Sequence, residues 1–121
     1  MSIRIAGTGS YVPERILSNA DLEKMVETND EWIRTRTGIE ERRIASPEQA
    51  TSDLAYEACL KALDMAGIKG EEVDAIIVGT ITPDYVFPST GCILQDRLGA
   101  KGAFCFDLEA ACSGLLFSLE V

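Results

Sequence analysis

The sequence has no histidine, one tryptophan and four prolines in 121 residues. Without imidazole the chain lacks the side chain most often used as general base near neutral pH, and the commonest metal ligand with it. The four cysteines, Cys59, Cys92, Cys105 and Cys112, include no C-x-x-C pair, so no metal site is expected. No apolar run is long enough to cross a bilayer. The segment Met1 to Gly7 shows no basic region leading into a long apolar stretch, so no secretory signal is visible. A cytoplasmic location follows as the expectation, with the cysteines as free thiols rather than disulfides. Basic residues are also scarce: 11 Lys and Arg stand against 20 Asp and Glu, a net charge of −9. Such a chain repels phosphate backbones, so neither nucleic acid nor membrane is an expected partner.

What is present is ordinary for a globular domain, with 46% apolar and 26% charged residues, and the length suffices for one core. The little positive charge is gathered at Arg34, Arg36, Arg42 and Arg43. Two readings stand. The group is a solvated helix end and loop offset by Glu40 and Glu41, or it is a site for a phosphorylated small molecule, since guanidinium forks match phosphate oxygens. Trp32 lies among these arginines. It either anchors its helix to the body or stacks a flat ligand while Arg36 holds the phosphates.

Hydrophobic patterning predicts alternating strands and helices, hence an α/β chain. Ile3 to Gly9 reads as a first strand ending at a Gly7-x-Gly9 turn. Val12 breaks any G-x-G-x-x-G fingerprint, so no dinucleotide site is expected. Ser18-Asn19 is positioned to cap a helix over residues 20–27, and Asn29-Asp30 another that closes at Gly38. Thr51-Ser52-Asp53 opens the clearest helix, with Leu54, Ala55, Ala58, Cys59, Ala62, Leu63 and Ala66 on one stripe and Gly67 as its stop. Cys59, on that stripe, is expected to pack in the core. The continuous run Ala75-Ile76-Ile77-Val78 predicts a strand of a parallel sheet, covered on both faces. A loop over residues 80–88 exposes Tyr85 and Phe87; Phe87 is a core plug or a residue reaching a partner. Ser89 caps a helix through Leu98, stopped by Gly99, and residues 103–108 form another strand, in which Cys105 reads as structural.

Cys112 carries the chemistry. It stands where an apolar strand turns directly into an apolar helix. A thiol at a helix start faces backbone N–H groups and the positive end of the dipole, which favour the nucleophilic thiolate. Ala110 and Ala111 leave room above the sulfur, and Ser113-Gly114 is expected to let the backbone bend sharply. The helix that follows, with Leu115, Leu116, Phe117, Leu119 and Val121, is apolar around most of its girth and needs burial on all sides. The expectation is a chain that is part of a larger enzyme.

The segments Gly7-x-Gly9-x-Tyr11-x-Pro13, Asp30-Glu31-Trp32-Ile33-x-Thr35-Arg36-Thr37-Gly38-Ile39, Thr82-Pro83-Asp84-Tyr85-x-Phe87-Pro88-Ser89 and Ala111-Cys112-Ser113-Gly114 together resemble the β-ketoacyl-[acyl-carrier-protein] synthase III family, over essentially the whole chain. The resemblance implies a thiolase-like fold, an αβαβα five-layer core in the complete enzyme. Residues 1–121 would form part of its N-terminal half, with the C-terminal half absent. It implies a condensing acyltransferase that initiates type II fatty acid synthesis: Cys112 takes an acyl group from acyl-CoA, then the carbanion formed as malonyl-acyl carrier protein loses carbon dioxide attacks the thioester. Trp32, Arg36 and, nearby, Thr28 would hold CoA, and Phe87 would enter the acyl pocket of the other subunit of a homodimer. No cofactor is implied beyond acyl-CoA as substrate. The family's catalytic His and Asn come from the second half, so the remainder of the polypeptide is an implied partner. A starter enzyme of polyketide or secondary metabolism, and an inactive assembly piece, are the alternatives.

Overall fold

The computed structural model describes residues 3–121; Met1 and Ser2, which open the segment read for a signal, lie outside the described residues. The chain divides into two compact units. One is Val12–Gln49; the other joins the described residues up to Tyr11 with Ala50–Val121.

The smaller unit is a hairpin and two helices: β1 (Arg15–Ser18), α1 (Asn19–Leu22), α2 (Asp30–Thr37) and β2 (Glu41–Ile44). β1 and β2 pair antiparallel, Arg15 opposite Ile44 and Ser18 opposite Glu41. Neither strand was expected, because four-residue strands with charged residues on both carry almost no periodic signal. Ser18 caps α1 in a reciprocal box with Asp21: the Asp21 amide donates to Ser18 Oγ at 3.2 Å, and the Ser18 amide to Asp21 Oδ2 at 3.2 Å. The helix ends at Leu22, well short of residue 27, and the chain continues in turns. Asn29 caps α2 as expected, its side chain accepting from the Trp32 amide at 2.8 Å, and Gly38 closes it at φ +72°.

The larger unit is built on α3 (Thr51–Ala66), β3 (Ala75–Gly79), α4 (Thr90–Leu98), β4 (Phe104–Leu108) and α5 (Gly114–Glu120). β3 and β4 are parallel, from Ala75 opposite Phe104 to Gly79 opposite Leu108, with α4 as the crossover. The parallel reading of the Ala75–Val78 run is therefore correct. Its coverage on both faces is not: only Ile76 is buried, and Ala75 and Gly79 are exposed. α4 packs on both strands and on α3, and Ile76, Leu94, Ala100 and Ala103 form the core between them. Arg97 binds α4 to α3, its guanidinium 2.8 Å from Asp53 Oδ1 and 4.2 Å from the centre of the Tyr56 ring. Gly67 and Gly99 stop α3 and α4 in the left-handed conformation.

The predicted strand over Ile3–Gly9 does not form. No ladder partner exists among the described residues, and Ile3 and Ile5 stand 87% and 77% exposed. Nor is Gly7-x-Gly9 a turn. The segment lies along α3 so closely that a Cβ on Gly9 would fall 2.0 Å from the Ala58 carbonyl oxygen, and one on Gly7 2.4 Å from that of Ala62. This backbone contact needs glycine for room rather than for its freedom of φ.

α5 presents its small residues inward. Gly114 is buried and Ser118 half-buried, while Leu115, Leu116, Phe117 and Leu119 are 54–72% exposed. The all-round burial expected for this helix is not supplied by these residues.

Candidate functional site

Parallel pairing brings the carboxyl ends of β3 and β4 side by side, and the ladder runs one step further as the Thr80 amide donates to the Leu108 carbonyl at 3.2 Å. Loops leaving the carboxyl ends of parallel strands are where α/β folds build ligand sites. Here the two loops meet in an open pocket of about 390 Å³ lined by Gly79, Thr80, Ile81, Thr82, Ala111 and Cys112. Cys112 is exposed, alone among the four cysteines. It sits in a single 3-10 turn, Ala111–Ser113, directly before α5.

The sharp bend that aims Cys112 is not at Ser113-Gly114. Gly114 is plainly helical, at φ −53° and ψ −47°. The bend is at Ala111, with φ +44°, the one non-glycine residue of positive φ among the described residues. An L-residue held there costs on the order of 1–3 kcal/mol, and such residues gather at functional sites. Nothing in an alanine announces this in sequence; its small side chain merely makes the conformation tolerable.

The far wall of the pocket is pinned by two contacts that were also not foreseen. Asp84 accepts from the Ser52 amide at 2.8 Å and from Ser52 Oγ at 2.6 Å, and Thr51 Oγ1 donates to the Thr82 carbonyl. Ser52 is buried. Thr51-Ser52-Asp53 does open α3, as expected, but the two hydroxyls bind the 80–88 loop, and Asp53 accepts from the amide of the preceding cap residue Ala50 at 2.8 Å. That bond, then Arg97, holds the Asp53 carboxyl below the usual carboxylate range. Beyond the pinned stretch the loop tip is bare: Val86 is 100% and Phe87 87% exposed. Phe87 is therefore no core plug.

The other three cysteines separate cleanly. Cys59 lies on the inner stripe of α3, and burial pushes its thiol up. Cys92 and Cys105 face each other with sulfurs 3.2 Å apart.

In the smaller unit Trp32 is 55% exposed and Ile33 is the buried anchor of α2, so the tryptophan does not serve to pack the helix. Arg36 stacks on the indole at 5.2 Å from the ring centre. The two residues, with Asn29, Glu31 and Thr35, line an open surface pocket of about 560 Å³, and Thr28 lines a neighbouring one with Trp32. The arginine cluster does not act as one site. Arg34 pairs with Asp30 and Glu40, and Arg43 with Glu41 and the Pro13 carbonyl. Arg42 donates to the Asn19 side chain. Arg36 stacks on Trp32 instead, which leaves the outer face of its guanidinium and the exposed edge of the indole for a ligand.

No family model matches the chain. Individual proteins do. β-Ketoacyl-[acyl-carrier-protein] synthase III of Xanthomonas campestris pv. campestris is 59% identical over 118 residues, which are 98% of this chain and 36% of that protein. The crystal structure of 3-oxoacyl-[acyl-carrier-protein] synthase III from Aquifex aeolicus superposes with a TM-score of 0.95 at 50% identity, over 98% of this chain and 38% of that one. The priming β-ketosynthase of the R1128 polyketide pathway gives 0.92 at 39% identity, over 96% and 35%. The parallel β3–α4–β4 unit with an exposed cysteine beyond its carboxyl end is thus a piece of a thiolase fold. Within that fold the chain fits, in sequence and structure, the N-terminal portion of β-ketoacyl-[acyl-carrier-protein] synthase III proteins. The chain spans about a third of the length of the curated relatives it matches.

Proposed function

We propose that this chain carries the acyl-accepting nucleophile and the CoA contacts of a condensing acyltransferase that initiates type II fatty acid synthesis. The observation that supports it most is the exposed Cys112, held past an alanine of positive φ in a pocket at the carboxyl ends of two parallel strands. In the first step the Cys112 thiolate attacks the carbonyl carbon of an acyl-CoA, the bond to the CoA sulfur breaks, and CoA leaves as its thiol with a proton taken up. In the second, malonyl-acyl carrier protein loses carbon dioxide and the carbanion left behind attacks the acyl-cysteine carbonyl. The carbon–sulfur bond to Cys112 breaks, releasing 3-oxoacyl-carrier protein and the free cysteine. Trp32 and Arg36 hold the nucleotide end of CoA, the indole against the base and the guanidinium against phosphate oxygens, with Thr28 beside them.

On this reading the rest of the polypeptide supplies the His and Asn that stabilise the developing enolate, since this chain has no imidazole to offer. The exposed Phe87 is a residue for a second subunit of a homodimer. The isolated chain should release no carbon dioxide from a malonyl thioester and should self-associate through the bare apolar face of α5. The decisive experiment is to incubate the complete synthase with acetyl-CoA and locate the acyl group by mass spectrometry. It is expected on Cys112 and lost in Cys112→Ala. Acylation of Cys59, Cys92 or Cys105 would sink the assignment.

A second reading is a starter enzyme of polyketide biosynthesis, favoured by the likeness to the R1128 priming ketosynthase. Relative kcat/KM values over a series of acyl-CoA starters separate the two: acetyl-CoA first supports fatty acid initiation, a longer or branched starter supports the other.

A further inference from the structure

The condensing chemistry makes no use of Cys92 and Cys105. Cys92 is in the first turn of α4 and Cys105 is the second residue of β4, and their sulfurs lie 3.2 Å apart. Two features bring them together. At Gly91 the helix backbone presses onto β4: a Cβ there would stand 3.3 Å from Cys105 Cβ and 3.3 Å from the Phe106 amide nitrogen. Asp107, two residues beyond Cys105, reaches back to accept from the Thr90 and Gly91 amides at 2.7 and 2.8 Å, which clamps the start of α4 to the strand. Both thiols are partly exposed.

The pair is chemically unequal. Ser89 Oγ donates to the Cys92 sulfur at 3.2 Å and favours its thiolate, the Cys105 thiol adds to this, and burial and then the Asp107 carboxylate oppose it. The balance lowers Cys92. Burial, then Cys92 and Asp107, pushes Cys105 up to about 11. Cys105 has a second acceptor in Gln95 Oε1 at 3.6 Å, which suits a sulfur that keeps its proton.

We propose that Cys92 and Cys105 are a redox site that closes to an intrachain disulfide when the protein meets a peroxide, with Cys92 as the sulfur that is oxidised first. The Cys92 thiolate attacks one oxygen of hydrogen peroxide, the O–O bond breaks, hydroxide leaves, and Cys92 becomes a sulfenic acid. The Cys105 sulfur then displaces that hydroxyl, its proton leaves with the hydroxyl as water, and the S–S bond forms. Overall two thiols lose two hydrogens while peroxide becomes two waters, and a dithiol reductant reverses it by exchange. The bond ties the first turn of α4 to the strand that runs on to Cys112. A neighbouring thiol that captures the sulfenic acid also protects Cys92 from irreversible over-oxidation.

The test uses the full chain and its Cys112→Ser variant, exposed to hydrogen peroxide, alkylated with iodoacetamide and digested with trypsin without reduction. The peptide from Gly70 to Arg97 carries Cys92; the one that begins at Gly102 carries Cys105 and Cys112, which is why the Cys112→Ser protein is included. A linked pair of these peptides, two hydrogens lighter than their sum, is expected in both proteins, at monomer mobility on a nonreducing denaturing gel, and is lost on adding dithiothreitol. Cys59 should remain alkylated. In Cys105→Ser, dimedone should label Cys92; in Cys92→Ser, it should not label Cys105. The proposal is overturned if both sulfurs stay alkylated at a peroxide dose that oxidises Cys112, if the link vanishes in Cys112→Ser, or if it joins two chains. A dimedone adduct on Cys105 would overturn the order of attack. The first two proteins keep both cysteines of the pair, so detection of the link does not depend on whether the pair variants fold.

Discussion

At the centre of the larger unit stands Leu94, 1% exposed, with Ile76, Ala100 and Ala103 around it. At the centre of the smaller unit stands Asn19, 2% exposed, with polar groups around it. Its amide nitrogen donates to Asp30 Oδ1 at 2.7 Å and to the Ile39 carbonyl at 2.8 Å, its oxygen accepts from Arg42, and its backbone amide donates to the Glu40 carbonyl at 3.1 Å. One amide thereby joins α1, α2, the turn after it and β2. The contrast follows from size. A segment of this length buries too little apolar surface to hold itself by that means alone, and a fully satisfied polar hub fixes geometry where a small apolar core would leave it loose. It also leaves the outer face of α2, with Trp32 and Arg36, unburied and open to a ligand.

The largest effect is expected at the apolar centre. Leu94→Ala should cost about 3–5 kcal/mol through lost burial and the cavity left behind. Hydrogen exchange should quicken at the amides of β3 and β4 and change little in β1 and β2. Asn19→Ala should cost about 1–3 kcal/mol, because it removes a buried amide and strips the half-exposed Asp30 carboxylate, a carbonyl and a guanidinium of one partner each. Here the pattern should invert, with faster exchange in β1 and β2 and little change in β3 and β4. If either substitution speeds exchange equally in both units, they unfold together and the contrast between them has no energetic meaning.

A smaller effect bears on the open face of α2. On the proposed reading, Arg36→Ala in the complete synthase should raise the acyl-CoA KM about tenfold with a lesser change in kcat, the pattern of lost uniform binding. The melting temperature should not move, since Arg36 takes no part in the Asn19 hub. An unchanged KM would return Arg36 to a surface role.

The smallest effect is acid-dependent. The Ser18 hydroxyl, then Lys24 and the Ser18 amide, hold the Asp21 carboxyl down from 3.8 to about 2. A carboxylate depressed in the folded state stabilises it fully above 3.8 and progressively less as pH falls towards 2. The first turn of α1 should therefore fray across that interval, followed by the exchange of its amides or by the chemical shift of the Asp21 carboxyl. Ser18→Ala should remove most of the dependence. A titration of Asp21 near 3.8 in the intact protein would show that the box does not form in solution.

How far these features could be read in advance divides by the distance to the partner. Asn29 before α2, Ser89 before α4 and the stops at Gly38, Gly67 and Gly99 all stand where the sequence puts them, because a cap and its amide are three residues apart and a left-handed glycine needs no partner at all. The stripe on α3 and the apolar run of β3 are likewise local periodicities. The motif around Cys112 identified the nucleophile candidate, and the thiolase-like fold was legible from the same short segments. By contrast, Ile3–Gly9 has the composition of a strand but lies unpaired, because a strand exists only with a neighbour to bond. The hairpin of β1 and β2 was hidden for the converse reason: its charged residues carry no pattern, and its stability comes from Asn19 and from pairing across more than twenty positions.

The residues themselves thus determined where most of the helices begin and end, that the β3–α4–β4 unit is parallel, and which thiol lies beyond its carboxyl end. Only the tertiary structure decided that Ala111 rather than Gly114 makes the bend, that Asp84 is tied to Ser52, that Trp32 faces outward with Arg36 on it, and that Cys92 meets Cys105. The physical reason is the same in each case. These arrangements are set by atoms far apart in the chain, brought together by the packing of whole elements, and no local preference of the residues concerned points to them.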